Sequence, residues 1–444
     1  MSRLVLALLL LLPVAAQENS LAPTPPMGWN SWDSYGLSVS ESEFRANADV
    51  LADKLARYGW NYAVVDEGWY LTNPDAKAGG FEFTLDGNGR YTPAINRFPS
   101  AANGAGFKPL ADSVHSRGLK FGIHIIRGIP REAVAKNLPI AGSNFHAADA
   151  ADQADTCPWN ADNYGVKASP AGQAYYDSVA KLYASWGVDF VKIDCIASHP
   201  YKGDEIRMVS QALRNSGRPI VLSLSPGPAP VDKLDELRRY AQMWRISDDF
   251  WDHWDMWVKH EFSQSLLKQF TTTAEWAPYV EQGHWPDADM LPIGYLGPRP
   301  GAGEPRLSKL THDEQRTVLT LWSIFRSPLI IGGNLTRLDE FTTSLLTNSD
   351  VITVNQHSKG NRALIRTPKR AVWTAQIDAE HYVALFNLSD EPSMLRYKWS
   401  ELALPGRKYV VRDLWLRKDL GSLSEMNVTL QPHASAFYGV TPGD

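Results

Sequence analysis

The sequence predicts an α/β protein: a (β/α)8 TIM barrel over residues 24–355, followed by a C-terminal antiparallel β-sandwich over 356–444. Three observations predict it. About eight strand-then-helix units succeed one another across 25–348; such alternation calls for a parallel sheet, and eight units close it into a barrel. Several of the strands are short apolar runs that stop on a carboxylate. The clearest is Asp189-Phe190-Val191-Lys192-Ile193-Asp194-Cys195. Buried parallel strands read this way, and barrels keep their chemistry at the C-terminal ends of their strands. After Gln356 the helical period vanishes, and short strand-like runs are divided by Asp, Gly, Pro and Ser, which suits a sandwich. An open doubly wound sheet competes, but no Gly-x-Gly-x-x-Gly follows the first strand.

Residues 1–16 precede all of this. Arg3, an apolar run from Leu4 to Leu12 and the small residues Val14-Ala15-Ala16 form a secretory signal peptide, too short to span a membrane. A secreted or periplasmic location is expected. The first strand is 26–30. Ser40 then caps a helix that runs to about Tyr58, with Glu43 completing a capping box. The strand at 61–66 ends in Asp66-Glu67, and a polar, Gly-rich excursion fills 72–105. A helix over 107–117 leads to a strand over 119–126 that contains His124. A second excursion, 128–168, carries Cys157. The helix over 170–187 presents Ala171, Tyr175, Val179, Leu182 and Trp186 on one face, and leads into the Asp194 strand. Helix 204–217, strand 220–224, helix 231–241 and strand 243–247 continue the beat. A Trp-rich helix is expected over 251–272, with Trp251 and Trp254 packing it. A strand end at 283–289, a helix over 311–325 boxed by Thr311 and Glu314, a strand over 328–331 and a helix over 338–347 complete the barrel. The sandwich strands are expected at 363–366, 372–376, 382–387, 409–412 and 436–439.

The net charge of −5 and the absence of a basic block exclude nucleic acid as a natural partner, and no stretch of the mature chain is apolar enough to cross a membrane. Polar groups collect at the strand ends: Trp32, Asp66, Glu67, His124, Lys192, Asp194, Ser225, Arg245, Asp248, Asp249, Asp287 and Asp289. A rim of carboxylates and Trp suits a neutral polyol, because acids accept hydrogen bonds from hydroxyls while indole stacks on the apolar sugar face. Two carboxylates flanking one glycosidic bond are the minimum for its hydrolysis. Asp194 suits the nucleophile, with Lys192 on the same strand face to keep it ionised. Asp249 suits the acid/base. It lies four residues from Arg245 and shares its face if the strand persists, whereas Asp248 points the other way. Asp287 and Asp289 read as supporting residues. A bound metal or other cofactor is not expected: the 11 His are scattered, and neither His-x-His nor His-Glu-x-x-His occurs. No Gly-x-Ser-x-Gly marks a serine nucleophile. Export to an oxidising compartment allows Cys157 and Cys195 to bond; two buried free thiols are the alternative.

At Pro26-Met27-Gly28-Trp29-Asn30-Ser31-Trp32, Lys120-Phe121-Gly122-Ile123, Val191-Lys192-Ile193-Asp194, Trp244-Arg245 with Asp249, and Trp285-Pro286-Asp287-Ala288-Asp289-Met290-Leu291, the chain resembles glycoside hydrolase family 27. That family holds the α-galactosidases and α-N-acetylgalactosaminidases. The resemblance covers residues 24–440. It implies a retaining mechanism with Asp194 as nucleophile and Asp249 as acid/base, sugar binding by Trp32, Asp66, Lys192 and Arg245, and a Cys157–Cys195 bridge near the site. It implies release of terminal α-D-galactose from a carbohydrate substrate. The departures concern the sugar. The family's usual Asp-Asp pair is Asp66-Glu67 here, the usual Tyr is His124, and the turn facing the 2-substituent is Ser225-Pro226-Gly227. Relatives that prefer β-L-arabinopyranosides, which lack C6, carry a Glu in this region. β-L-Arabinopyranosides, α-N-acetylgalactosaminides and isomalto-type α-glucosides are therefore alternatives on the same fold. A secreted glycan-binding protein without catalysis is the alternative of another class.

Overall fold

The computed structural model describes residues 21–77, 79–256 and 263–443. The expected signal peptide at 1–16 lies outside them. Eight parallel strands form one curled sheet in sequence order: β1 (Met27–Asn30), β2 (Tyr62–Val65), β3 (Lys120–Ile126), β4 (Phe190–Asp194), β5 (Val221–Leu224), β6 (Met243–Arg245), β7 (Trp285–Asp287) and β8 (Leu329–Ile331). β8 pairs back onto β1. β7 and β8 are joined through the residues after β7: Leu291 bridges Ile331, donates to the Ile330 carbonyl at 2.7 Å and accepts from Gly332 at 3.0 Å. The register sets His124 beside Lys192 and Arg245 beside Asp287, so groups from neighbouring strands meet at one level of the barrel.

Local chemistry fixes the helices between the strands. The Ser40–Glu43 capping box starts the helix Glu41–Val50, and the Thr311–Glu314 box starts His312–Phe325. Pro170–Trp186 is capped by Ser169 and stops at Gly187, whose φ of 83° lets the chain turn out of the helix. The expected helix over 251–272 is shorter and later, Leu266–Trp276, because Ser265 caps it and Asp249–Phe250 pairs with Ser263–Gln264 ahead of it. Residues 257–262 of that expectation lie outside the described residues. Trp251 and Trp254 therefore do not pack a helix of their own. Trp251 is buried in the wall of the central cavity, and Trp254 stacks on His433 at 3.8 Å. The excursion at 128–168 contains a small antiparallel sheet, Ile129–Pro130, Asn163–Val166 and Ala151–Thr156.

The C-terminal part is antiparallel throughout, with one sheet of six strands and one of two. Its strands alternate between two cores, as a period of two dictates. Val372, Leu385 and Val440 face the inside of the sandwich, while Trp373, Phe386 and Phe437 join the barrel core. Phe386 meets Phe270 edge-on at 4.9 Å, and His433 links Glu314 of the barrel to Asp390. The sandwich thus covers one flank of the barrel with apolar surface. Strands Ser393–Lys398, Lys418–Leu423 and Glu425–Leu430 were not expected. Lys418–Leu423 is almost wholly exposed and carries no apolar alternation to announce it.

Candidate active site

A cavity of about 350 Å³ opens where the barrel strands end. Every expected site residue lines it: Trp32, Asp66, Glu67, His124, Lys192, Asp194, Ser225, Arg245 and Asp249. His124 and Lys192 sit within β3 and β4, and the others at a strand end or in the segment after it, which is why residues far apart in the chain converge. Asp248, next to Asp249, turns away and pairs with His199 at 3.0 Å. The reason differs from the expected one. β6 ends at Arg245, and the bend through Ser247 and Asp248, not strand alternation, aims Asp249 inward.

Asp194 is held by both oxygens. Ser225 Oγ donates to Oδ1 at 3.1 Å, and Trp159 Nε1 donates to Oδ2 at 3.0 Å. The ammonium expected to keep Asp194 ionised is committed elsewhere: Lys192 Nζ pairs with Asp66 Oδ2 at 3.1 Å. Asp66 is the better neutralised acid because it is wholly buried and also accepts from Asn30 Nδ2 at 2.6 Å and from the Glu67 amide at 2.8 Å. Burial alone would raise its pKa. The His124 imidazole when protonated, the Lys192 ammonium and these hydrogen bonds outweigh burial and hold the carboxyl far below its ordinary range. Burial, in turn, lowers the pKa of His124, which favours its neutral form. Glu67 is the opposite case. Burial first, then the charges of Asp194 and Asp66, push it up to about 8, so its carboxyl is protonated at neutral pH. Asn160 Nδ2 donates to its Oε1 at 3.0 Å.

Trp159 and Asn160 were not foreseen. Cys157 and Cys195 are bonded, Cα to Cα 6.0 Å, so this loop is fastened beside Asp194. The CPWN run next to an expected cystine was the available signal. Trp32 presents its indole to the cavity and is backed by Gly301; a Cβ there would lie 2.4 Å from the ring. At the far side Arg245 is buried and shared. Its Nη2 lies 2.8 Å from Asp289 and 3.3 Å from Asp249. Asp33 also lines the cavity, and no signal in the sequence singled it out. It is buried, and its Oδ2 has no hydrogen-bond partner among the described residues. Burial, then the Asp289 charge, raises the pKa of its carboxyl well above the ordinary value. Among the described residues no group of three or more His, Cys, Asp or Glu is arranged to hold a metal ion.

A cavity of this size, lined by acids, a buried guanidinium and indole rings, offers hydrogen-bond acceptors for hydroxyls and flat apolar faces for stacking. Comparison with known proteins agrees. The family described as "Alpha galactosidase A" matches residues 161–357, and the "Alpha galactosidase C-terminal beta sandwich domain" matches 367–440. The solved structure of a GH27 β-L-arabinopyranosidase from Geobacillus stearothermophilus is 46% identical. It covers 96% of this chain and 98% of its own, with a TM-score of 0.91. The chain belongs to glycoside hydrolase family 27. The α-galactosidase of Coffea arabica is 30% identical over 433 residues, 96% of this chain and 95% of that protein. That of Cyamopsis tetragonoloba is 29% identical over 432 residues, 96% of this chain and 88% of that protein. This family 27 protein is a retaining glycosidase.

Proposed function

We propose that the enzyme removes a terminal sugar of galacto configuration by double displacement, with β-L-arabinopyranose the preferred sugar. Asp194 attacks C1 as Asp249 gives its proton to the departing oxygen; Asp249 then deprotonates the water that releases the sugar. Trp32, Asp66, Glu67, His124, Lys192, Ser225 and Arg245 hold the ring. The observation that carries the choice of sugar is Glu67. β-L-Arabinopyranose and α-D-galactopyranose coincide from C1 to C4 and differ in the hydroxymethyl on C5. Glu67 puts an extra methylene and a protonated carboxyl into the cavity beside Asp66, where that hydroxymethyl would lie. The Geobacillus enzyme, named for the arabinopyranoside and also captured as a variant in complex with arabinose, supports the same choice. α-D-Galactose is the second reading, favoured by α-galactosidase relatives that span the chain.

Residues 24–355 would supply the catalysis and 356–444 the packing of its flank. The leader at 1–16 would place this chemistry outside the cytoplasm. The test is hydrolysis of 4-nitrophenyl β-L-arabinopyranoside and 4-nitrophenyl α-D-galactopyranoside, with the anomer of the released sugar followed by NMR. A higher kcat/KM on the arabinopyranoside with retained configuration is expected. A higher kcat/KM on the galactoside overturns the sugar, and an inverted product overturns the mechanism.

A further inference from the structure

Arg245 raises a difficulty for any acid that works beside it. A general acid must begin the reaction protonated, yet a guanidinium at hydrogen-bond range favours the ionised form of a carboxyl. The cavity wall contains an answer. The Arg245 Nη2 that lies 3.3 Å from Asp249 lies closer, at 2.8 Å, to Asp289. Asp289 is buried, whereas the Asp249 side chain is about half exposed, so the better desolvated and shorter pair is with Asp289. The same Asp289 Oδ2 accepts the main-chain N–H of Phe250 at 2.7 Å, the residue directly after Asp249. One carboxylate therefore grips both the cation beside the acid and the backbone that carries the acid.

Asp289 is itself tightly built in. Its backbone is left-handed at φ 84°, its N–H donates to Asp287 Oδ1 at 2.9 Å, and its carbonyl accepts from Trp322 Nε1 at 2.8 Å. The charged and titratable groups around it are Arg245 at the end of β6, Asp249 beyond it, Asp287 at the end of β7, Lys192 on β4 and Asp33 after β1. Burial, with the charges of Asp249 and Asp287 adding to it against Arg245 and Lys192, pushes Asp289 up to about 6, so it is mainly ionised at neutral pH.

We propose that Asp289 is the positioning residue for the general acid: it takes up the Arg245 guanidinium and anchors the Phe250 amide, leaving Asp249 aimed at the leaving oxygen and free to carry a proton. The inference rests on Asp249 being the acid/base. In the step concerned, the bond from C1 to the aglycone oxygen breaks. Its electron pair stays on that oxygen, which takes the Asp249 proton, as an Asp194 oxygen bonds to C1.

The test exploits leaving groups. 2,4-Dinitrophenolate departs without a proton, whereas phenolate or an alkoxide needs one. The full-length enzyme and its Asp289→Asn variant are compared by kcat/KM on phenyl and 2,4-dinitrophenyl β-L-arabinopyranosides, with Asp249→Asn as reference. Loss of acid catalysis is worth ~100-fold or more. Asp289→Asn is expected to lose ~100-fold on the phenyl glycoside and under ~5-fold on the dinitrophenyl one. Equal losses on both, or no loss on either, overturn the proposal. If Asp289→Asn fails to fold, as read by near-UV circular dichroism, Asp289→Glu decides on the same pair. A loss of ~10-fold confined to the phenyl glycoside supports the proposal, and a uniform loss or none overturns it. Asp249→Asn separates the two levels. If it shows no leaving-group dependence, the acid/base assignment fails. If it does and Asp289→Asn does not, only the positioning role fails.

Discussion

Replacing Glu67 by Gln should change how stability depends on pH more than it changes the fold. Glu67 is half-buried in the cavity wall near Asp66 and Asp194, and its pKa of about 8 stands about 3.5 above the ordinary 4.5. The folded state thus holds a proton that the unfolded state gives up above pH 4.5. Between the two values the folded state binds more protons, so stability falls as pH rises, by about 1.36 kcal/mol per pH unit. Over about 3.5 pH units the loss is about 5 kcal/mol, complete by pH 8 and flat beyond it. Gln has the same shape, keeps a partner for Asn160 and does not titrate. The stability of Glu67→Gln minus that of wild type should therefore climb from pH 4.5 to pH 8 and then level off. Urea unfolding at half-unit pH steps, followed by tryptophan fluorescence, measures it. A difference that stays within about 1 kcal/mol across that window refutes a proton-holding Glu67. A difference that falls with pH would mean that Glu67 is ionised and stabilised by its neighbours.

Asp194→Asn should lower kcat/KM by several orders of magnitude with an unchanged near-UV spectrum, measured on the aryl arabinopyranoside. Glu67→Asp removes one methylene beside Asp66. It should raise the galactoside-to-arabinopyranoside ratio of kcat/KM by about 10-fold or more, as a methylene in a tight pocket is worth about 1–3 kcal/mol. Gly301→Ala places a carbon 2.4 Å from the Trp32 indole, so it should displace that ring and raise KM about tenfold with a smaller effect on kcat. Arg306→Ala strands Asp252, which is fully buried and accepts from that guanidinium at 2.6 and 2.8 Å. The loss should be about 3 kcal/mol in denaturant unfolding.

The barrel was legible because its strands and helices keep different periods, and because strands that end in acid announce which rim carries the chemistry. Asp194 was legible for the same reason. Strand alternation carried past Arg245 prefers Asp249 over Asp248, but β6 stops at Arg245, and the bend through Ser247 and Asp248 is what turns Asp249 into the cavity. Lys192 lies on the expected face and feels the Asp194 charge, but its direct ion pair is with Asp66, because strand alternation says which side a group is on and not which neighbouring strand supplies its nearest counter-ion. Trp159, Asn160 and the grip of Asp289 on the Phe250 amide were harder. The three side chains sit on irregular backbone, where position comes from a cystine, a bend or a left-handed residue and leaves no repeating pattern to read. The Trp-rich stretch after Phe250 was taken for helix on composition. The Ser265 cap further on sets the start instead.

The bond between Cys157 and Cys195 has a consequence for how the molecule is made. Barrel and core are products of folding, but the wall formed by Trp159 and Asn160, held by hydrogen bonds to Asp194 and Glu67, is fastened covalently by oxidation alone. Two preparations of one sequence, from reducing and from oxidising hosts, would share a fold and differ in how firmly Asp194 is roofed. The quality of a batch would then show in turnover long before it showed in shape.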